Sequence, residues 1–556
     1  MINKISCYLI TIFFGLCTVN LNAEIVNIAL QKQGSTQTVT AEWVQHAHDA
    51  QHTGYTDQVV ETPWRWKWSW NGPNSTGGIS NGKTILGRIT QPVTGNGRVY
   101  IPRGYDFYSY WTGQQTRIDG VYALDEASGQ VLWSVNPGGN IITTAAYDYN
   151  GDILYVVSTN GRLYKLNASN GTTIGSFNAG SAITVPPCLI SDRVFISAGN
   201  NVFAVNKTNM TQIWIYNAGS PIHTPPAYSP SRNCVIVGTY DLNVHCINNT
   251  DGTQKWKVKP TVCQPGNPES STNNNYAEYL HGWPVIAEIH GLVLMKVKLD
   301  WNSLYGVWSP WPTDNATMRT NLQNTPDQQA LFALDLDDGT VPFICNIGHG
   351  GWGDGCCLPM GSQPIVKKFP DNKEVVYMII RGHVMYDGRW DSHFGEMVLD
   401  NTTVSGYQAG YVRFIRNEYP PGSSSNTQYF LTDEQPYISM AGDYLFGTHW
   451  EAAVLSCKIT DRSDSLGSWN NKIATVLCPT VVTSQDNTGC AFSSSHYCSG
   501  GLQNTRGYNY GFYIYYGQGG VYDNYWSEYG CVVTSNGTIY VRSCDGAIVA
   551  LEHGSP

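Results

Sequence analysis

Hydrophobic positions along this chain come in short alternating runs, and one run keeps returning. In residues 121–133, Val121 and Ala123 alternate with their neighbours, which predicts a strand with one buried face. Asp125 to Gly129 then predict a tight turn, because Gly supplies a positive φ and Asp bonds its own backbone. A second strand follows and ends on Trp133. The phrase returns at 163–171, 202–214, 244–256 and 331–339, twice ending on a tryptophan, Trp214 and Trp256. Another apolar strand precedes it at 153–157, 194–197 and 235–238, after small residues and prolines such as Pro186-Pro187 and Pro225-Pro226. From Tyr122 the steps run to Tyr164, Phe203 and His245, about 40 residues each, the period of a four-stranded propeller blade. A large aromatic at a fixed place in each repeat suits packing between neighbouring blades.

After Pro260 the repeats are heavily interrupted. The fifth blade places its third strand at 331–334, after a long insertion around 301–327; the sixth uses 396–399 and the seventh 453–457. The eighth reads 538–541 and 547–552 and lacks an outer strand. The segment Trp64-Arg65-Trp66-Lys67-Trp68-Ser69-Trp70 alternates aromatic and polar residues and is the candidate to supply it, which would remove the free edges. The expectation is therefore an all-β, eight-bladed propeller at 64–556, closed by an N-terminal strand, with seven blades as the alternative count. Residues 24–63 form a lead-in expected to pack on the surface of the ring, and 1–23 a secretory signal: Lys4 is followed by a mostly apolar stretch at 5–17, and Ala23 precedes a cut at Glu24.

The phrase Ala-x-Asp-x-x-x-Gly-x-x-x-Trp resembles that of the quinoprotein-like, or PQQ-repeat, β-propeller family. The resemblance implies the propeller fold. It also implies two classes of relative: dehydrogenases that hold pyrroloquinoline quinone and calcium in a central funnel, and propellers that bind or scaffold without a cofactor. Fold alone does not choose between them.

Composition narrows the partners. Net charge is -10 and only 13% of residues are charged, with no basic patch, so nucleic acid is excluded as an expected partner. No apolar run after the signal is long enough to span a bilayer. Of fifteen cysteines, Cys7 and Cys17 leave with the signal, and Cys457, Cys478, Cys490, Cys498, Cys531 and Cys544 crowd into the irregular half, which predicts disulfides across long loops in an oxidising compartment, extracellular or periplasmic. Sequons stand at Asn74, Asn167, Asn170, Asn206, Asn209, Asn248, Asn315, Asn401 and Asn536; those in the blade turns, such as Asn167 and Asn206, are expected to be exposed and open to glycans in a eukaryotic host.

The resemblance assigns candidate chemistry residue by residue. His349-Gly350-Gly351-Trp352-Gly353-Asp354 is similar to the enzymes' His-x-x-Trp-Asp stretch, displaced by one residue, and makes Asp354 the candidate general base. Arg381, at the end of a strand, falls where those enzymes place a cation on the quinone oxygens. Cys356-Cys357 resembles their cofactor-covering vicinal pair, although it follows the fifth blade here rather than an early one. For calcium, Asn302 is the nearest candidate ligand, without the family's Glu and Asn partners. The bland alternatives are an arginine at a strand end and two cysteines with separate fates. His46, His48 and His52 in the lead-in are either metal ligands or polar histidines of a surface loop. Residues 508–529, dense in Tyr with Phe512 and Trp526, suit an adaptable binding surface or a seal over the ring. The favoured expectation is an exported propeller with a non-catalytic binding or structural role, no cofactor, and a protein or carbohydrate ligand. The alternatives are a quinone- and calcium-dependent alcohol or sugar dehydrogenase and a glycan-binding propeller.

Overall fold

The structure, a computed structural model, describes residues 42–61, 64–70, 90–105, 117–268, 275–299, 314–347, 362–383, 391–418, 438–448, 454–459, 472–477, 532–542 and 548–554. Its strands fall into successive antiparallel units. Unit one comprises Val93–Gly95, Arg98–Tyr105, Arg117–Asp125 and Val131–Val135, paired in that order. Unit two runs from Ala146–Asp148 to Thr173–Asn178, unit three from Cys188–Leu189 to Gln212–Asn217, and unit four from Ala227–Ser229 to Gln254–Val258, each with four strands. Unit five has Val285–Ala287, Leu292–Lys296 and Leu331–Asp335, with a single bridge from Phe332 to Ile344 in place of a fourth strand. Units six (Ile365–Lys368 to Val412–Glu418) and seven (Ser439–Ala441 to Lys472–Leu477) share one sheet, because their outer strands pair in parallel. Unit eight has Val533–Ser535, Thr538–Arg542 and Ile548–His553, and Trp64–Trp70 pairs antiparallel with the last of these as its fourth strand. The third strands of units five and seven, Leu331–Asp335 and Val454–Ile459, fall within a residue or two of the expected 331–334 and 453–457, whereas that of unit six, Asp391–Val398, begins five residues before the expected 396–399.

The long insertion holds a feature that strand periodicity missed, the helix Asn315–Asn324. Asp314 caps it by accepting from the Thr317 N–H (2.8 Å). Asn315, one of the sequons, is buried at its start; its amide bonds both the N–H and the carbonyl of Val412, at 2.9 and 3.0 Å. Asn167 and Asn206, expected to be exposed, are half-buried, and each Oδ1 accepts from the N–H two residues on. The same turn chemistry that put them in the loop draws their side chains in.

The units are joined by one repeated contact. In each of the first four units the outer strand carries a β-bulge against its neighbour, skipping Leu132, Ile174, Ile213 and Lys255. A bulge re-aims the following side chain. In units one, three and four that side chain is Trp133, Trp214 or Trp256, and each indole N–H donates to a turn carbonyl of the next unit: Ala168 (2.9 Å), Asn249 (2.7 Å) and Leu336 (2.9 Å). The ring lies over the turn glycine of that unit. A Cβ on Gly171, Gly252 or Gly339 would stand 2.6, 2.8 or 2.7 Å from it, and all three glycines have positive φ. Trp68 repeats the contact from the N-terminal strand, donating to Glu126 O at 2.9 Å and covering Gly129.

Unit two breaks the rule in a compensated way. Gly175 stands at the tryptophan position, and Met210 stands at the facing turn glycine position with φ +58°. The methionine fills the space the indole leaves; a Cβ on Gly175 would lie 3.0 Å from Met210 Cγ. Lys165 Nζ supplies the donor, bonding the equivalent carbonyl of Lys207 at 2.7 Å.

This swap predicts a coupled pair. Gly175→Trp should overpack against Met210, and Met210→Gly should leave a void, each costing about 1–3 kcal/mol. The double variant rebuilds the tryptophan–glycine contact of the neighbouring units and should lose less than the sum of the singles. Urea unfolding midpoints of the four proteins check this.

Candidate functional site: the lead-in at the first strands

The first strand of each unit is a sheet edge, and an edge carries backbone N–H groups that its own sheet cannot satisfy. The lead-in satisfies them in turn. Thr94 N–H of unit one donates to Trp43 O (2.9 Å) and Tyr147 N–H of unit two to Val44 O (2.8 Å). In unit three, Leu189 N–H donates to Gln45 Oε1 (2.9 Å). Units four, five and six follow, with Tyr228 to Ala50 O (2.8 Å), Ile286 to Gln51 O (2.9 Å) and Val366 to Thr53 O (2.9 Å). In unit seven, Met440 donates to Gly54 O (3.0 Å), and Tyr55–Thr56 pairs in parallel with Ser439–Ala441. The first strand of unit eight is tied to its neighbours by side chains, Ser535 Oγ to Thr94 Oγ1 (2.7 Å) and Ser439 Oγ to Val532 O (2.5 Å).

Asp49 holds the lead-in in this path. Its Oδ1 accepts from the N–H groups of Gln51 (3.1 Å) and Thr53 (3.0 Å), and its Oδ2 from the Thr53 hydroxyl and His48 Nδ1. Burial pushes its carboxyl up, but the His48 and Thr53 contacts outweigh that and hold it below the usual carboxylate range. Positive φ at Ala47, His48 and His52 shows how tightly the chain turns here.

The three histidines are not a surface loop. His46 and His52 are buried and His48 half-buried. The reason is the edge bonding just described, which draws the whole segment inward. His46 packs edge-on against Trp283 (4.3 Å between centroids) and His52 (5.4 Å), and its Nδ1 meets Thr144 Oγ1 at 3.3 Å. His52 Nδ1 lies 3.0 Å from Pro284 O, which can only accept, so this nitrogen carries the proton. Burial, aided by His52, holds His46 well below its ordinary value, and burial lowers His52 to about 4. Both are neutral imidazoles at neutral pH. Gln91 completes the layer, accepting from the Trp43 indole (3.3 Å) and Ala47 N–H (3.0 Å). Gln91, Thr144, Trp283 and Gln363 all sit two residues before a first strand; the sequence signal that could have found three of them is the recurrent proline at Pro92, Pro284 and Pro364. Among the described residues, no group of three or more His, Cys, Asp or Glu side chains could hold a metal ion, so the metal-ligand alternative for these histidines finds no geometry here.

The residues assigned by resemblance fall mostly elsewhere. Asp354, Cys356, Cys357 and Asn302 lie outside the described residues. So do 508–529 and most of the late cysteines. Arg381 stands near the end of Glu374–His383, opposite Ser392. The described residues flanking the others meet: Lys296, at the end of the strand that leads towards Asn302, donates from Nζ to Ser362 O (2.7 Å), which follows the segment of Asp354, Cys356 and Cys357. Lys296 is buried, and burial lowers its ammonium to about 7. Antiparallel order brings the ends of Leu292–Lys296 and Glu374–His383 to the same end of units five and six.

Against this geometry, residues 118–277 match the family model of the outer membrane protein assembly factor BamB. That stretch is similar to the PQQ-repeat β-propeller family. The matched stretch runs from the third strand of unit one through unit four into the connection before unit five. Comparison with curated proteins finds no match. Among solved structures, BamB from Moraxella catarrhalis aligns at 12% identity and TM-score 0.43, covering 88% of this chain and 99% of that one. The quinohemoprotein alcohol dehydrogenase of Comamonas testosteroni aligns at 12% identity and TM-score 0.47, over 94% and 82%. The quinohemoprotein alcohol dehydrogenase ADHIIG of Pseudomonas putida HK5 aligns at 11% and 0.49, over 93% and 82%. These likenesses are too distant to give any residue of this propeller a role.

Two predictions follow from the lead-in of the propeller. Asp49→Ala strips the acceptor from two N–H groups and a hydroxyl and should cost about 2–4 kcal/mol in urea unfolding. The neutral histidines bind fewer protons folded than unfolded, so the stability they contribute is present above their unfolded pKa of about 6.5 and is lost as pH falls towards about 4. His46→Gln with His52→Gln should flatten the fall of the unfolding midpoint between about pH 7 and about pH 4.5.

Proposed function

We propose that this chain is an exported PQQ-repeat propeller of eight blades, closed by its N-terminal strand, that acts by binding a protein partner and not by catalysis. The observation that supports it is the lead-in: the first-strand edges of seven units are bonded by the chain's own residues 43–56, with Trp43, His46 and His52 buried among them. In this reading the lead-in takes the place that a cofactor would need beside those strands. The family model matched by residues 118–277 describes an assembly factor, which favours a protein over a carbohydrate as the partner. In this reading no quinone or calcium is held, and the partner meets the connections between units.

A quinone- and calcium-dependent dehydrogenase is the second reading, favoured by the Lys296–Ser362 contact, which brings the flanks of Asn302 and of Asp354, Cys356 and Cys357 to one place. Bound there, the quinone would supply a two-electron acceptor. Asp354 would take the substrate hydroxyl proton, Arg381 would hold a quinone oxygen, Cys356 and Cys357 would cover the site, and Asn302 would offer calcium an oxygen.

Titration of metal-stripped protein with pyrroloquinoline quinone, with and without calcium, separates the two by absorbance. The expected outcome is no binding at high-micromolar quinone. Tight one-to-one binding that requires calcium would overturn the binding-only reading, and Asp354→Ala should then keep the quinone and lose turnover of alcohols and sugars.

A further inference from the structure

Unit four holds a pair of cysteines that the loop-stapling expectation did not include. Cys234 opens the strand Cys234–Gly238, and Cys246 lies in the middle of its neighbour Val244–Asn248. Cys234 faces Asn248 across the ladder and Cys246 faces Ile236, so the two are diagonal neighbours, each two positions from the other's partner. Side chains two apart on a strand share a face, which places both thiols on the same side of the sheet. Both are buried in one apolar cluster with Trp256, Tyr279 and Phe332. The two thiols neighbour one another, and that proximity lowers Cys234 and raises Cys246 from the ordinary thiol value, while Cys246 Sγ reaches Leu336 O at 4.0 Å. Cys188, Cys263 and Cys345, the other buried free cysteines among the described residues, show no such thiol partner.

We infer that Cys234 and Cys246 form a cross-strand disulfide when the chain folds under oxidising conditions. Diagonal neighbours stand about 7–8 Å apart at Cα, just beyond the usual span of a disulfide, so the bond needs strand twist to shorten this diagonal and a small backbone shift to close it. Cys234 is the first residue of its strand, where the backbone yields most easily. The chemistry is exchange with a small-molecule or enzymatic disulfide. A thiolate of the pair attacks that disulfide, forms a mixed disulfide and releases one thiol. The second cysteine, losing its proton, then attacks the mixed disulfide and releases the other thiol. Two electrons and two protons leave the pair and reduce the donor disulfide to two thiols. Because both sulfurs are buried in the folded chain, the bond is installed before unit four closes, and its reduction then requires unit four to open. A bond formed at the limit of reach is easily reduced once exposed.

The inference concerns the pair itself, and its biological use rests on the exported reading. The test is arranged to tell the two apart. The full chain is refolded from denaturant in a glutathione redox buffer, alkylated under denaturing conditions and digested with trypsin. No Lys or Arg stands between Asn233 and Lys255, so one peptide, 233–255, carries both cysteines and no others. The expected peptide is lighter by two hydrogens and unalkylated, and it gains two alkyl groups only after reduction. Oxidised protein should also unfold at higher urea than reduced protein, a difference that Cys234→Ser and Cys246→Ser each abolish. A doubly alkylated 233–255 from fully refolded protein overturns the inference, as does a link from this peptide to another cysteine peptide. If the refolded protein forms the bond while protein from the native host carries two thiols, the pair stands and the exported reading falls.

Discussion

The structure depends on one contact, a tryptophan of one unit laid over a turn glycine of the next. It joins three requirements at a single point. The bulge turns the indole out of its own sheet, the indole N–H satisfies a turn carbonyl that would otherwise face a hydrophobic neighbour, and the missing Cβ lets the ring approach. Losing any one of these spoils the other two. That interdependence explains why unit two, which lacks the tryptophan, changes all three partners together: Gly175 for the ring, Met210 for the glycine and Lys165 for the donor. It also explains how a strand from the start of the chain can serve the last unit, since Trp68 brings its own bulge and its own contact to Gly129.

The outer contacts leave an inner problem, a set of first strands with unpaired edges. The lead-in meets it with a succession of acceptors, six backbone carbonyls and the Gln45 side-chain oxygen, offered to successive units. A segment that must point one carbonyl at each of several edges cannot be a helix or a strand, and the positive φ values at Ala47, His48 and His52 reflect that. Asp49 supplies from its side chain the acceptors that regular structure would have supplied. The same burial makes neutral imidazoles of His46 and His52, so the segment that completes the core is also its acid-sensitive part.

Not every junction uses the tryptophan. Units five and six are tied by His290 between Glu374 (3.0 Å) and Asp400 (3.1 Å), where burial would lower the imidazole but the two carboxylates raise it. Within unit six, the buried Glu396 is held by Tyr377 and Arg413. Such ties set geometry more than they add net stability, because desolvating charge offsets much of the attraction.

The repeat was legible in the sequence because strand alternation and turn chemistry are local. Residues 121–133 and their copies announced a repeat period and an aromatic contact between units, each of which follows from side chains within a few positions of one another, and the aromatic–polar alternation of Trp64–Trp70 announced a strand, which pairs with Ile548–His553. The helix at Asn315–Asn324 was not legible, since its weak apolar stripe sits inside an insertion with no repeat to compare. The fate of the lead-in was decided by tertiary structure alone. Nothing local in His46, Asp49 or His52 distinguishes a surface loop from a buried tie; what buries them is a row of edge N–H groups supplied by strands hundreds of residues away. The same holds for Cys234 and Cys246, unremarkable in the sequence and neighbours only because strand register sets them on one diagonal.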